Sequence, residues 1–227
     1  MSGLLLKALL SGGSMLLSVF TYAQFYGWRY AVGFVALILV HEMGHYLAAR
    51  QRGLDVGLPT FIPFVGAWIN LKTSDLDAET TAFVGMAGPL FGSTAAFGVF
   101  LLAMHTQSSW LMALAYTGFA LNLFNLIPLS PLDGGHIVGV ISQKLWLIGL
   151  PLLVGLYLWR PNPLLILIGV MAVFRLWGAL KGRVPEAGPS LQAGERWRYG
   201  AQYLGLVALL IFMVVEANPA AIGREFA

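Results

Sequence analysis

The most reactive side chains in this sequence stand in one string, His41-Glu42-Met43-Gly44-His45. On a helix, residues four apart project from one face, so both imidazoles can bind a single metal ion. Glu42 is turned about 100° from His41, close enough to activate a metal-bound water without being a ligand. The string lies in the apolar run Tyr30 to Ala49, bounded by Arg29 and Arg50. Apart from the weakly acidic Tyr30 and Tyr46, that run has no other ionisable side chain. Such groups are costly in a lipid-spanning helix, and function is their default reading. The string therefore reads as half of a hydrolytic zinc site placed inside a membrane segment.

A hydrolytic zinc site takes a third protein ligand and leaves its fourth position for water. The chain has no cysteine, which excludes disulfides and thiolate ligands and leaves His and carboxylate. His105 falls in a short connection on the opposite membrane face and reads as an interface residue. Asp55, Asp75, Asp77 and Glu79 belong to a polar connection, and Glu186, Glu195, Glu216 and Glu225 to loops or the terminus. Asp133 stands apart, in the segment NLIPLSPLDGGH at 125–136. Pro128 and Pro131 interrupt the helix there and Gly134 and Gly135 relax the backbone, so the segment can turn Asp133 inward. The plainer alternative is a turn residue in a Pro/Gly-rich loop.

The elements that must position these groups follow from composition. The chain has 227 residues, is 58% hydrophobic and 10% charged, and has a mean hydropathy of +0.78. Soluble domains carry roughly 25% charged residues, so this is a polytopic, all-α membrane protein. Apolar segments fall at about 4–26, 30–49, 80–104, 109–128, 137–159, 162–180 and 202–216. They predict six to seven transmembrane helices of ~20 residues each, in one domain over 1–227 whose motif-bearing core is about 30–140. Lys7 and the Thr21-Tyr22-Ala23 end have the look of a signal peptide. An uncleaved first helix is expected, because later spans need it for orientation. The net charge of +3 comes from loop Lys and Arg, which topology explains better than nucleic-acid binding.

Charge asymmetry orients the chain. Arg50, Arg52 and Lys72 follow the second span, while Lys181, Arg183, Arg196 and Arg198 precede the last. With both connections cytoplasmic, the N-terminus and the active-site side are cytoplasmic, and seven crossings leave the C-terminus outside. His41, nine residues before Arg50, is then roughly 13 Å deep. Asp133, at the end of the fourth span, arrives in the same half of the membrane.

Residues 58–72 read LPTFIPFVGAWINLK. Pro63 opposes a helix, and apolar residues flank Gly66-Ala67, which predicts a short membrane-associated β-hairpin. A surface loop with aromatic anchors is the alternative. Its edge can hold an unwound substrate by strand addition, with Trp68 and Ile69 as the docking positions. Gly85, Gly88, Gly92, Ala87, Ser93, Ala95 and Ala96 form a small-residue face on the third span. That face suits close helix packing, or alternatively a substrate gate.

His41-Glu42-Met43-Gly44-His45 followed by NLIPLSPLDGGH resembles the site-2 protease family of intramembrane zinc metalloproteases. FIPFVGAWINLK and Ala87-Gly88-Pro89-Leu90 resemble that family's core. The resemblance implies one Zn2+ per chain on His41, His45 and Asp133, with Glu42 as general base and Asn125 assisting at the substrate carbonyl. Asn122 has no counterpart and reads as a packing group, and His136 as a packing or hydrogen-bonding residue. By resemblance this is a core-only member without inserted peptide-binding or nucleotide-sensing domains. Its substrates are expected to be membrane-anchored regulatory proteins, cut in or near their transmembrane segments within the lipid bilayer. Two rival readings are a zinc transporter or channel, which wants several sites along a path, and a catalytically silent relative that binds a membrane partner.

Overall fold

The computed structural model describes residues 3–68, 76–181 and 191–218. Among them are helices α1 (Gly3–Tyr26) and α2 (Trp28–Gln51), then strands β1 (Thr60–Ile62) and β2 (Gly66–Trp68). Helices α3 (Ala78–Thr106), α4 (Ser109–Asn125), α5 (Asp133–Gly139), α6 (Trp146–Trp159), α7 (Pro163–Leu180) and α8 (Ala193–Glu216) follow. The chain is a multi-pass integral membrane protein, and the regular structure among its described residues is helical apart from one antiparallel hairpin.

The expected six to seven spans are corrected. Among the described residues, four helices are long and apolar enough to cross a membrane: α2, α3, α7 and α8. The expected span 109–128 stops at Asn125 because Pro128 and Pro131 follow, leaving 17 helical residues. The expected span 137–159 is broken into α5, a 3-10 turn at Gln143–Leu145, and the 14-residue α6. Hydropathy along a sequence counts side chains and does not register where the helical ladder ends.

Contacts divide the chain into two compact units. The first comprises Met1–Lys72, Ala87–Leu123 and Ala208–Ala227. Its core joins Tyr22 and Ala23 of α1 to Ala31, Val35 and Ile38 of α2 and to Phe61 of β1. Gly27, between the two helices, turns the chain with φ +81°, which glycine adopts without a Cβ clash. The hairpin pairs Thr60 with Trp68, Phe61 with Ala67 and Ile62 with Gly66, inside the segment read as a hairpin. Two three-residue strands are too short to stand alone in water, and α1 secures them. Ser11 Oγ donates to the Pro59 carbonyl at 2.6 Å, the Phe61 N–H donates to Ser14 Oγ at 3.1 Å, and the Phe64 N–H donates to the Tyr22 hydroxyl at 3.0 Å. Two serines inside an apolar helix thus serve the strand beside it.

The second unit comprises Thr73–Met86 and Phe124–Val207. Its core packs Leu129, Leu132 and Val138 against Trp146 and Leu153 of α6 and Leu165, Ile168, Ala172 and Leu176 of α7. Gly149 lets α6 approach the 126–132 segment: a Cβ there would meet the Pro128 carbonyl and Leu129 Cβ. A Cβ on Gly155, two turns further, would meet nothing within 4 Å. Gly149→Ala is therefore expected to destabilise by about 1–3 kcal/mol through overpacking, and Gly155→Ala to be neutral or slightly stabilising. Thermal unfolding of both variants in detergent checks this; equal midpoints would refute the packing account.

Candidate metal centre

The buried stripe of α2 carries Ala31, Val35 and Ile38 and continues into His41 and Glu42. His41 is 3% exposed and Glu42 is 7% exposed, while His45 is half-buried. A carboxylate at that burial inside a membrane-length helix is hard to explain by packing alone. The Nε2 atoms of His41 and His45 lie 3.2 Å apart, their rings edge to face. Two nitrogens at ~2.0–2.1 Å from one tetrahedral ion stand about 3.4 Å apart, so the pair already has the spacing a shared cation requires.

Two neighbouring helices shape this end of α2. On α4, the fully buried Asn122 places Oδ1 2.8 Å from His41 Nδ1 and donates from Nδ2 to the Gly118 carbonyl at 2.8 Å. On α3, the small-residue face read from the sequence has a definite purpose. A Cβ on Gly88 would run into the His45 ring, and one on Gly92 would run into the Asn122 amide. A Cβ on Gly44 would in turn meet the Ala87 backbone. The helices approach closely because these positions have no side chain, and the space left is taken by the site.

Asp133 opens α5 directly after the proline-interrupted segment. The tight turns bond Leu132 N–H to the Leu129 carbonyl and Gly135 N–H to the Leu132 carbonyl, each at 2.9 Å. Side chains from two helices fix the segment further. Trp146 Nε1 donates to the Gly135 carbonyl at 2.9 Å, and the Tyr203 hydroxyl donates to the Leu126 carbonyl at 2.6 Å. The Ser130–Pro131 peptide is cis. One ligand atom from each of His41, His45 and Asp133 lies within 4.8 Å of the other two, a cluster capable of coordinating a metal ion. Nitrogen and carboxylate donors in this set suit zinc.

The other expected residues are placed as follows. Asn125 is the last residue of α4 and half-buried. His105 is exposed in the last turn of α3, about 26 Å along the helix from Gly88. His136 is an exposed residue of α5. Ile69 lies outside the described residues, and of Trp68 only the backbone is described. Asn122, read as a packing group, instead contacts His41. An Asn in a mostly apolar helix gives little local signal of a partner 81 residues away.

The sequence profile of Peptidase family M50 matches residues 29–110 and 102–147, together more than half of the chain. The chain belongs to peptidase family M50. Among M50-like relatives, "Zinc metalloprotease MJ0392" of Methanocaldococcus jannaschii is 31% identical over 135 residues, 56% of this chain and 38% of that protein. "Probable zinc metalloprotease EGY1, chloroplastic" of Oryza sativa subsp. japonica is 34% identical over 84 residues, 35% of this chain and 14% of that protein. The matches thus span well under half the length of these two relatives. The M50 match includes His41, Glu42, His45 and Asp133, and also Gly88 and Asn122.

Gly88→Ala should displace the His45 ring and lower zinc affinity about tenfold or more. Gly98→Ala, where a Cβ meets nothing within 4 Å, should leave it unchanged. Zinc retained after dialysis against graded chelator checks both, and equal retention would remove the role given to Gly88.

Proposed function

We propose that this chain is a zinc-dependent intramembrane endopeptidase that cuts membrane-anchored, regulatory proteins in or near their transmembrane segments. The observation that carries the reading is the His41, His45 and Asp133 cluster beside the buried Glu42, in a helix long and apolar enough to cross a membrane. His41, His45 and Asp133 would hold one zinc ion, which supplies Lewis acidity toward water and the scissile carbonyl. Glu42 takes a proton from water as its oxygen bonds to the peptide carbon, then passes that proton to the amide nitrogen as the C–N bond breaks. Asn125 is assigned to the substrate carbonyl, where a hydrogen bond strengthens as charge develops.

A substrate helix must unwind to expose its peptide bond, and its freed backbone groups need partners in lipid. The hairpin is proposed to supply them by strand addition. Phe61 directs its N–H at Ser14, so Phe61 and Ala67 form a non-hydrogen-bonded pair and the Ala67 backbone groups point to the other edge. That geometry favours the β2 edge over β1, and the proposed docking positions Trp68 and Ile69 follow Ala67 directly in sequence. We also assign the site to the cytoplasmic side, because exposed Arg50 and Arg52 close α2.

Purified wild type and Glu42→Gln should both bind zinc, with cleavage of a single-span substrate only by the wild type. Equal cleavage, or zinc uptake into vesicles by Glu42→Gln, would reject the protease reading in favour of a transporter. Trp68→Pro or Ile69→Pro should cut turnover about tenfold or more while zinc stays bound, since a lost strand contact is lost transition-state binding. Unchanged turnover would remove the hairpin from substrate docking.

A further inference from the structure

Among the described residues of the first unit, Asn122 is the most deeply buried polar side chain, at 1% exposure, and the proposed chemistry makes no use of it. Its amide is engaged at both ends, toward the Gly118 carbonyl and toward His41 Nδ1, each at 2.8 Å. A main-chain carbonyl can only accept, so the end facing Gly118 is the NH2 group. The end facing His41 is therefore the oxygen, and an amide oxygen also only accepts. His41 Nδ1 must then carry a hydrogen. A neutral imidazole has one N–H, so its lone pair lies on Nε2. That nitrogen faces His45 Nε2 at 3.2 Å.

We propose that Asn122 is a positioning residue that fixes His41 in the Nδ1–H tautomer and aims its Nε2 lone pair at the metal position. The inference rests on the metal-site reading above and deepens it. The Gly118 carbonyl orients the amide, and two close approaches let the helices pack around it. Gly118 has no side chain, and a Cβ there would meet Ala96 and Leu37. Gly92 leaves the space that the Asn122 amide fills. With the amide tied to the Gly118 carbonyl, rotation of the His41 ring would break its bond to Asn122 on α4. Metal-ligating histidines commonly donate their second N–H to a carboxylate or a main-chain carbonyl; here a side-chain amide, itself anchored one helical turn back, takes that place.

The test uses the full chain in detergent with 15N-labelled histidine, as wild type, Asn122→Leu and Asn122→Asp. Leu keeps the volume without any acceptor, whereas Asp keeps an oxygen for His41 Nδ1–H. Zinc affinity is read by chelator competition, and the ring tautomer by the 15N shifts of His41. The expected result is a loss of about 10–100-fold in zinc affinity for Asn122→Leu, the usual cost of removing such a partner. Asn122→Asp should stay within a few-fold of wild type and keep the Nδ1–H signature. Wild-type affinity in Asn122→Leu, or equal losses in Leu and Asp variants, would overturn the inference. Should Asn122→Leu fail to fold, the comparison of Asn122→Asp with wild type decides alone, a tenfold loss or a changed tautomer counting against it. Zinc bound by wild type with the His41 hydrogen on Nε2 would reject the positioning role only. No zinc uptake by a wild type that keeps Nδ1–H would instead reject the metal-site reading, and with it any role of Asn122 toward zinc.

Discussion

A polar group taken out of water must find a partner, and in the first unit that requirement fixes almost everything near His41. The imidazole bonds to Asn122, and the Asn122 amide bonds to Gly118. An unmade bond to a buried donor or acceptor costs roughly 1–3 kcal/mol, a sizeable part of the stability of a typical domain. The chain of bonds can close only if α4 comes near α2, which Gly118 permits beside Leu37, while Gly92 on α3 leaves room for the Asn122 amide. Close helix contacts in a membrane are gained through small residues, since lipid offers no hydrophobic driving force between helices. Here those residues serve a second purpose, leaving room for ring and amide groups that ordinary side chains would displace.

Labour is divided among the helices accordingly. Helix α2 bears the imidazoles and the carboxylate, α4 bears the group that orients one imidazole, and α3 contributes absence of side chains at Gly88 and Gly92. In the second unit, Asp133 depends on a different device. The segment before it has too few regular hydrogen bonds to be rigid by itself. Tyr203 holds its Leu126 carbonyl, Trp146 holds the Gly135 carbonyl just after Asp133, and Gly149 lets α6 lie against it. Placement of Asp133 after an irregular segment therefore relies on side chains well downstream in sequence.

Much of the chemistry was legible in the sequence because it is local. The two histidines and Glu42 occupy five consecutive residues, and prolines and glycines mark the Asp133 segment from within. The hairpin was legible for the same reason, with Pro63 opposing a helix between two short apolar runs. Asn122 was not legible, since its meaning comes from a residue on another helix. Span number was overstated because apolar composition persists where the helix does not, as between Gly139 and Trp146. The tie between α1 and the hairpin was hidden as well: Ser11 and Ser14 look like weak points of an apolar helix until their partners, 48 and 47 residues away, are seen.

That tie has a consequence for the order of events during synthesis. Chains emerge N-terminus first, and early segments begin to organise while later ones are still being made. Ser11, Ser14 and Tyr22 all leave the ribosome before Thr60. The hydroxyl groups that complete β1 are therefore waiting when the strand appears, and an open strand edge, a known liability for mispairing, never has to wait for its cover. In this chain the first helix acts as a template as well as a wall.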